Sequence, residues 1–297
     1  MLHRGRVEEL LGGGVRVERV TDLGSSHAWT LHRAALSDGR EVFVKAAPDQ
    51  AGVLAAEAAG LRWLARREAE GEGPSGGADL PVPEVLAEDA HMLVLPWLPT
   101  VAPSAEAAER FGRELAAMHT LAPVPGAYGA PWEGFIADLP LDNTPVAGPW
   151  APWYAERRLE PFLRRARPSL TAGDVRLLER VIEEIDALAG PEEPPSRIHG
   201  DLWSGNVLWT DGRCMVIDPA AHAGHRETDL AMLSLFGAPY LDRVLGAYDE
   251  AAPLADGWRE RIPLHQLHPL LVHVALFGEG YRSRTVEAAR AALAAAR

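Results

Sequence analysis

Three polar residues near position 200 have the types and the spacing that phosphoryl transfer requires. Asp201 lies five residues before Asn206, and Asp218 follows after a short turn and an apolar run. In loops with this spacing the first Asp accepts the proton of the attacking hydroxyl, and the Asn binds a magnesium ion. We therefore predict that Asp201 is the catalytic base. Asn206 and Asp218 are the predicted ligands of Mg2+, which prefers hard oxygen donors.

One lysine supplies the cation that this chemistry also needs. Lys45 is the only lysine among 29 basic residues, and it lies in the strand-like segment EVFVKAA, residues 41–47. On such a strand the ammonium group would contact the α- and β-phosphates of ATP and pair with a carboxylate on the next helix. That helix is predicted over 53–68, where Glu57 is the best partner. ATP and Mg2+ are thus the expected cofactors.

Two further segments could contact the nucleotide. LGSSH, residues 23–27, is predicted to be a turn between strands, in which the backbone N–H groups at Ser25 and Ser26 could lie over phosphates. The strand-like segment HMLVLPWL ends in a predicted hinge, where adenine would bind. Pro96 has no N–H but can offer its carbonyl, and Leu98 can offer its N–H.

Other chemistries fit the sequence less well. His199 could be a base or a metal ligand, but its place beside the catalytic segment favours structural support of the loop. Zinc is disfavoured because HGD is not a ligand spacing and Cys214 has no cysteine partner. A serine hydrolase would need a GxSxG segment and a P-loop enzyme a GxxxxGK[ST] segment, and the sequence contains neither.

The order of these parts predicts an α+β, bilobal kinase. The nucleotide-binding lobe would cover 1–96, with a small antiparallel sheet and one main helix, and the catalytic and substrate-binding lobe, mostly helical, would cover 97–297. Periodicity predicts these segments. The strands are 15–20, 28–36 and 41–47, and the later helices are 104–119, 152–166, 171–189, 226–236, 258–278 and 281–296. Residues 121–150 are expected to be irregular. The arginines at 157, 158, 164, 165 and 167 are interpreted as a solvated helix face.

Composition limits the classes of partner. The net charge of −13 argues against nucleic-acid binding, which needs a basic surface. No apolar stretch is long enough to span a membrane, and no early run resembles a signal peptide. The single cysteine cannot form an internal disulfide, which makes a cytoplasmic location the expectation. A monomer is favoured.

The segments HGDLWSGNVLW and IDPAAHAGHRETDLAMLSLFG resemble the fructosamine kinase (ketosamine-3-kinase) family. EAAGLRWL, GFIADLPLDNT and WYAERRL support the resemblance, which covers nearly the whole chain. The segments HGDLWSGN and GHRETDLAM are specific to this family. HGD-x4-N alone would also fit aminoglycoside phosphotransferases and choline kinases, which share the protein-kinase-like fold.

This resemblance implies ATP-dependent phosphorylation of the 3-hydroxyl of a ketosamine, a small molecule or glycated amine. The 3-phosphate is unstable and is lost, which reverses glycation. Asp229 would support the catalytic loop through hydrogen bonds, and Trp203, His225 and Arg226 are candidate substrate contacts. The alternatives are an aminoglycoside- or choline-type phosphotransferase of the same fold, and a non-catalytic nucleotide-binding module.

Overall fold

A five-stranded antiparallel sheet forms the first part of the protein in this computed structural model, which describes residues 2–26, 29–47, 49–65, 80–121 and 126–295. Its strands are β1 (Val17–Ser26), β2 (Trp29–Leu36), β3 (Glu41–Ala46), β4 (Ala87–Glu88) and β5 (Met92–Pro96). They are hydrogen-bonded in the order β1-β2-β3-β5-β4. The sheet with the helices below confirms the predicted α+β class.

Helices cover both faces of this sheet, because side chains alternate along each strand. Val42 and Val44 of β3 pack in one apolar cluster with Val7 of α1 (Arg4–Leu11). Lys45 points to the opposite face, towards α2 (Val53–Ala65), where it bonds to Glu57. The buried residues of α2 recur every three or four positions and include Glu57, so this carboxylate lies on the packed face of its helix.

The rest of the described chain is mostly helical. Its helices are α3 (Ala105–Thr120), α4 (Trp150–Tyr154), α5 (Glu160–Ala166), α6 (Ala172–Glu183), α7 (Ile185–Leu188), α8 (Glu227–Phe236), α9 (Leu241–Ala251), α10 (Trp258–His265), α11 (Leu267–Phe277) and α12 (Arg282–Ala295). Ser104 caps α3 as predicted, since its side chain accepts a hydrogen bond from Ala107 N–H. No helix in the described ranges is long and apolar enough to cross a membrane.

Short strand pairs hold the loops between the helices. They are β6 (Ala127–Tyr128) with β9 (Val146–Ala147), β7 (Gly134–Ile136) with β8 (Leu139–Leu141), β10 (Ser196–Ile198) with β13 (His222–Gly224), and β11 (Val207–Thr210) with β12 (Arg213–Val216). The segment 121–150, expected to be irregular, therefore contains four short strands among its described residues.

The predicted turn at residues 23–27 is wrong over the part that the structure describes. Residues 23–26 belong to β1 and pair with β2. The register shifts between Asp22 and Gly24, where Gly24 has φ of 96° and its N–H bonds to the Asp22 carboxylate (2.8 Å). This bulge lets the glycine stay within the strand. His27 lies outside the described residues.

Two of the predicted helices need correction, and one helix was missed. The segment 152–166 begins at Trp150 and includes a π-helical turn, Ala155–Leu159. The segment 258–278 is two helices: Pro269 has no N–H for the carbonyl of His265, which instead accepts a hydrogen bond from the Tyr154 hydroxyl (3.1 Å). Helix α9 was not predicted from the sequence. Its midpoint is a glycine, which lowers helix propensity, and packing against α3 stabilises it.

The boundary between the two predicted lobes is a proposal. Strand β5 ends at Pro96, and the next described residues run without regular structure to Ser104 at the start of α3. We propose that the boundary lies just after the end of β5, because residues 98–103 belong to no helix or strand and such backbone can change its dihedral angles most easily.

Candidate active site

The five residues predicted for phosphoryl transfer line one cavity. Lys45 and Glu57 contribute from the sheet and α2, and Asp201, Asn206 and Asp218 contribute from the loops beside β10–β13 and β11–β12. The cavity has a volume of about 150 Å3. Residues 156 positions apart in the chain, Lys45 and Asp201, thus meet at one site, as their chain order predicts.

Lys45 is held by three groups. Its Nζ lies 2.8 Å from Glu57 Oε2 and 2.5 Å from Asp218 Oδ1, and it sits 4.5 Å from the centre of the Trp29 ring. Burial alone would lower the pKa of Lys45, but the two carboxylates outweigh it and raise that pKa. Burial and the nearby Asp218 carboxylate raise the pKa of Glu57. The ammonium is therefore charged at neutral pH and fixed in position.

Asn206 fixes the carboxylate of Asp201. Its Nδ2 donates to the Asp201 backbone carbonyl (2.9 Å) and to Asp201 Oδ2 (3.2 Å), so its Oδ1 points away from Asp201. Burial and the nearby Asp218 carboxylate raise the pKa of Asp201 well above its ordinary value. Asp218 has φ of 55°, a strained conformation for a residue other than glycine. The Asn206 amide oxygen and the Asp218 carboxylate form a hard-oxygen pair that fits Mg2+.

A buried network holds the loop of Asp201. The carboxylate of Asp229 accepts hydrogen bonds from His199 N–H (2.7 Å), Gly200 N–H (2.9 Å) and His119 Nε2 (3.0 Å). Burial opposes ionisation of Asp229, but the hydrogen bonds and charge interactions with His119 and His199 together outweigh it and lower the pKa of Asp229. Tyr248 hydrogen-bonds the other ring nitrogen of His119 (2.9 Å). Asp229 therefore ties α8 and α3 to the backbone just before Asp201.

His199 links the two functional loops. Asp201 N–H donates to its Nδ1 (3.2 Å), so Nδ1 carries no proton and Nε2–H donates to the Ile217 carbonyl (2.9 Å). Burial lowers the pKa of His199, which favours this neutral form. The side chain thus spans from the residue after Gly200 to the residue before Asp218, which is the geometry of structural support.

A second, largely apolar cavity adjoins the first. It measures about 280 Å3 and shares Ser26, Trp29, Glu57 and Asp218 with the catalytic cavity. Its other lining residues come from β1, β2, β3, β5 and the segment after it, from β11, and from the loop after β12. They are Leu23, Leu31, Phe43, Leu95, Pro96, Trp97, Leu98, Thr100, Leu208 and Ile217. Such an apolar cavity beside a cation suits a purine base joined to phosphates.

Most of the residues predicted to contact the nucleotide line this second cavity. Pro96 and Leu98 line the second cavity, and the N–H of Trp97 between them is bonded to the Glu41 carbonyl (2.9 Å). Of the two predicted serines, Ser26 lines both cavities, whereas Ser25 is not among the described residues that line either.

Aromatic side chains line part of the catalytic cavity. Trp203, which is 39% exposed, lines it together with Trp132 and Phe135. Asn143 also lines it, is buried, and is bonded to Arg158. Arg158 itself is 1% exposed, so its interpretation as part of a solvated helix face is wrong. Its place in the π-helical turn directs it to the loop that carries Asn143.

The structure does not bring His225 and Arg226 to this cavity. Arg226 forms two hydrogen bonds with the Glu193 carboxylate (2.6 and 2.7 Å). His225 is buried beside Glu227 and His265, close enough for the three to surround a cation. Both oxygens of Glu227, however, already accept hydrogen bonds from Arg261 (2.6 and 2.9 Å). These residues form a buried ion-pair network, and none of them lines the catalytic cavity.

Reasoning from the sequence missed Asn143, Arg158 and Tyr248, and it assigned no partner to His119. Their contacts join residues up to 129 positions apart, and none lies in a motif with fixed spacing. Two of them had a sequence signal, since Asn143 lies in the LPLDNT segment and Arg158 lies in the WYAERRL segment.

Comparison with known structures defines the class of protein. The aminoglycoside phosphotransferase APH(4)-Ia, solved with ADP and hygromycin B, matches with a TM-score of 0.60 at 16% identity, over 92% of this chain and 95% of that one. At that identity the likeness shows the fold. Together with the family match below, it makes this chain a phosphotransferase with a protein-kinase-like fold.

The chain belongs to the fructosamine kinase family, whose sequence profile matches residues 8–295. Escherichia coli YniA, described as a probable ketoamine kinase, is 32% identical over 282 residues, which are 91% of each chain. A Thermobifida fusca crystal structure provisionally described as a fructosamine-3-kinase is 55% identical, with a TM-score of 0.90 over 98% of each chain. The predicted family is confirmed.

Proposed function

We propose that the protein transfers the γ-phosphoryl group of ATP to the 3-hydroxyl of a ketosamine, so that the amine is later released. The observation that carries the proposal is the catalytic cavity, where a fixed carboxylate, a fixed ammonium and a hard-oxygen pair meet beside an aromatic wall. Membership of the fructosamine kinase family supports the choice of acceptor.

Each of the residues has a separate role in an in-line transfer of the phosphoryl group. The second cavity holds adenine, and Lys45 holds the α- and β-phosphates. The Asn206 amide oxygen and the Asp218 carboxylate would hold Mg2+, which would neutralise charge on the transferred group. Asp201 accepts the proton of the sugar hydroxyl while the new O–P bond forms and the bond to ADP breaks. The raised pKa of Asp201 suits a proton acceptor.

An acceptor panel tests this proposal. The purified protein is incubated with ATP, Mg2+ and one of a ribulosamine, a fructosamine, an aminoglycoside or choline, and ADP formation is followed. We expect turnover with a ketosamine, a 3-phosphate detectable by 31P NMR, and slow release of free amine and inorganic phosphate. Turnover only with the aminoglycoside or choline would overturn the assigned acceptor.

The assignment of Asp201 as the catalytic base can be tested in the same assay. Asp201→Asn should lower kcat by about 1,000-fold, because the amide cannot accept the hydroxyl proton, while the affinity for an ATP analogue is kept. Asp211→Asn is the matched control, since Asp211 is an exposed carboxylate in the turn between β11 and β12. Wild-type turnover in Asp201→Asn would contradict the assignment.

A further inference from the structure

The buried side-chain amide of Asn143, beside the catalytic cavity, has a hydrogen-bonded oxygen and an NH2 group without a hydrogen bond to any described residue. Asn143 is 3% exposed and lies between β8 and β9. Its Oδ1 accepts a hydrogen bond from Arg158 Nη2 (2.7 Å). A guanidinium can only donate, so the amide cannot be rotated by 180° without placing two donors against each other. The Nδ2 group is therefore fixed on the side away from Arg158.

Arg158 is itself held in place before any substrate arrives. Its Nη1 donates to the Asp142 carbonyl (2.7 Å), and its guanidinium stacks 4.4 Å from the Trp153 ring centre. The π-helical turn around it is defined by Glu160 N–H, which bonds to the Ala155 carbonyl five residues earlier. Burial lowers the pKa of Arg158 to about 9, which leaves it charged at neutral pH. Turns of this kind are frequent at functional sites.

The Nδ2 group has no acceptor among the described residues. It packs against Gly134, where a Cβ atom would lie only 2.4 Å from Nδ2, so that only glycine admits the amide here. Asn143 and Gly134 both line the cavity that contains Asp201 and Trp203. Buried donors are normally paired, and an unpaired one beside a binding cavity indicates a bond completed by the ligand.

We propose that Asn143 Nδ2 donates a hydrogen bond to a sugar oxygen of the acceptor and so determines specificity for the sugar part. This inference rests on the proposed function. The group can only donate, so it selects a hydroxyl or carbonyl oxygen and gives nothing to a protonated amine. Asp201 takes the proton of the 3-hydroxyl, and Asn143 Nδ2 would bind another oxygen of the same sugar. When one partner of such a hydrogen bond is removed, discrimination between acceptors with and without that oxygen is typically lost.

Asn143→Asp is the most selective variant. The carboxylate keeps an oxygen for Arg158, forms an ion pair with it and so preserves the fold, but it has no N–H to donate. We expect kcat/KM for the ketosamine to fall by about 10- to 100-fold, mainly through KM. The KM for ATP and the melting temperature should stay within error. Asp142→Asn is the control, because its partly exposed side chain pairs with Arg157 and it does not line the catalytic cavity.

A double cycle, in which both the protein and the acceptor are changed, then distinguishes a lost hydrogen bond to the acceptor from a structural effect of the substitution. Wild-type protein and Asn143→Asp are compared on ketosamines that lack one hydroxyl each, at positions other than the 3-hydroxyl. One deoxy acceptor should be poor for the wild type and should lose nothing further in the variant, because the same hydrogen bond is removed from either side. Independent losses for every deoxy acceptor, or an unchanged ketosamine KM in Asn143→Asp, would overturn the inference and leave the kinase assignment intact. A wild-type protein inert towards ketosamines overturns both.

Discussion

At the scale of single residues, the structure explains why one lysine remains in an arginine-rich chain. Lys45 is 3% exposed and is enclosed by Glu57, Asp218 and the Trp29 ring. An ammonium is a compact charge that can turn its three donors to separate partners, whereas a guanidinium is a wide planar fork. The site therefore selects for lysine by shape as well as by charge.

Lys45→Arg should consequently be a severe change. The fork cannot occupy the same enclosed volume without displacing Glu57 or the Trp29 ring, so we expect kcat/KM for ATP to fall about 100-fold. Arg62→Lys is the converse control, because Arg62 is half-exposed and pairs with Glu88. Steady-state kinetics with varied ATP measures both. Wild-type kinetics in Lys45→Arg would show that retention of the lone lysine has no functional basis.

The residues that the structure brings together in the catalytic cavity had a local signal in the sequence. Asp201, Asn206 and Asp218 belong to one segment with fixed spacing, and Lys45 is marked by its uniqueness, so all four were predicted and meet in one cavity. Prediction from the sequence failed where a role depends on distant partners. His225 lies in a family-specific stretch and yet is enclosed by Trp150 and His265, contacts that spacing cannot reveal.

At the scale of elements, the pair α3 and α9 positions the support for the catalytic loop. His119 lies in the last turn of α3 and bonds to Asp229, and Tyr248 of α9 bonds to His119. The two helices approach closely at Gly112, where a Cβ atom would lie 2.2 Å from the Val244 carbonyl oxygen. Hydrophobic spacing predicted α3, but the need for a partner helix at this glycine follows only from the three-dimensional contact.

Gly112→Ala should separate these helices. We expect a loss of about 1–3 kcal/mol in the free energy of unfolding, because the new methyl group meets backbone atoms that cannot rotate away. Gly246→Ala in α9 is the matched control: a Cβ atom there has no neighbour within 4 Å, so it should stabilise by about 0.5–1 kcal/mol through helix propensity. Urea unfolding of both variants measures the difference. Equal midpoints would show that α3 and α9 adjust freely at this contact.

At the scale of the whole molecule, the two cavities lie where the sheet meets the helical part. Ser26 and Trp29 from the sheet line both cavities, as does Asp218 from the loop after β12. The ion pair of Lys45 with Asp218 joins residues 173 positions apart and connects the same two parts. A nucleotide bound across both cavities would contact both parts of the fold, so its binding should stabilise the whole molecule.

The metal dependence of that stabilisation can be measured by thermal unfolding. A non-hydrolysable ATP analogue with Mg2+, at about 100 times its Kd, should add about 2.7 kcal/mol and raise Tm by about 5 °C. With EDTA the shift should be much smaller, because the carboxylates of Asp201 and Asp218 then face the phosphates without a cation between them. Asp218→Asn should lose most of the Mg2+-dependent increment while keeping the part due to adenine. An equal shift in EDTA would contradict a metal held by Asn206 and Asp218, because the charge of the triphosphate would then be balanced by Lys45 alone.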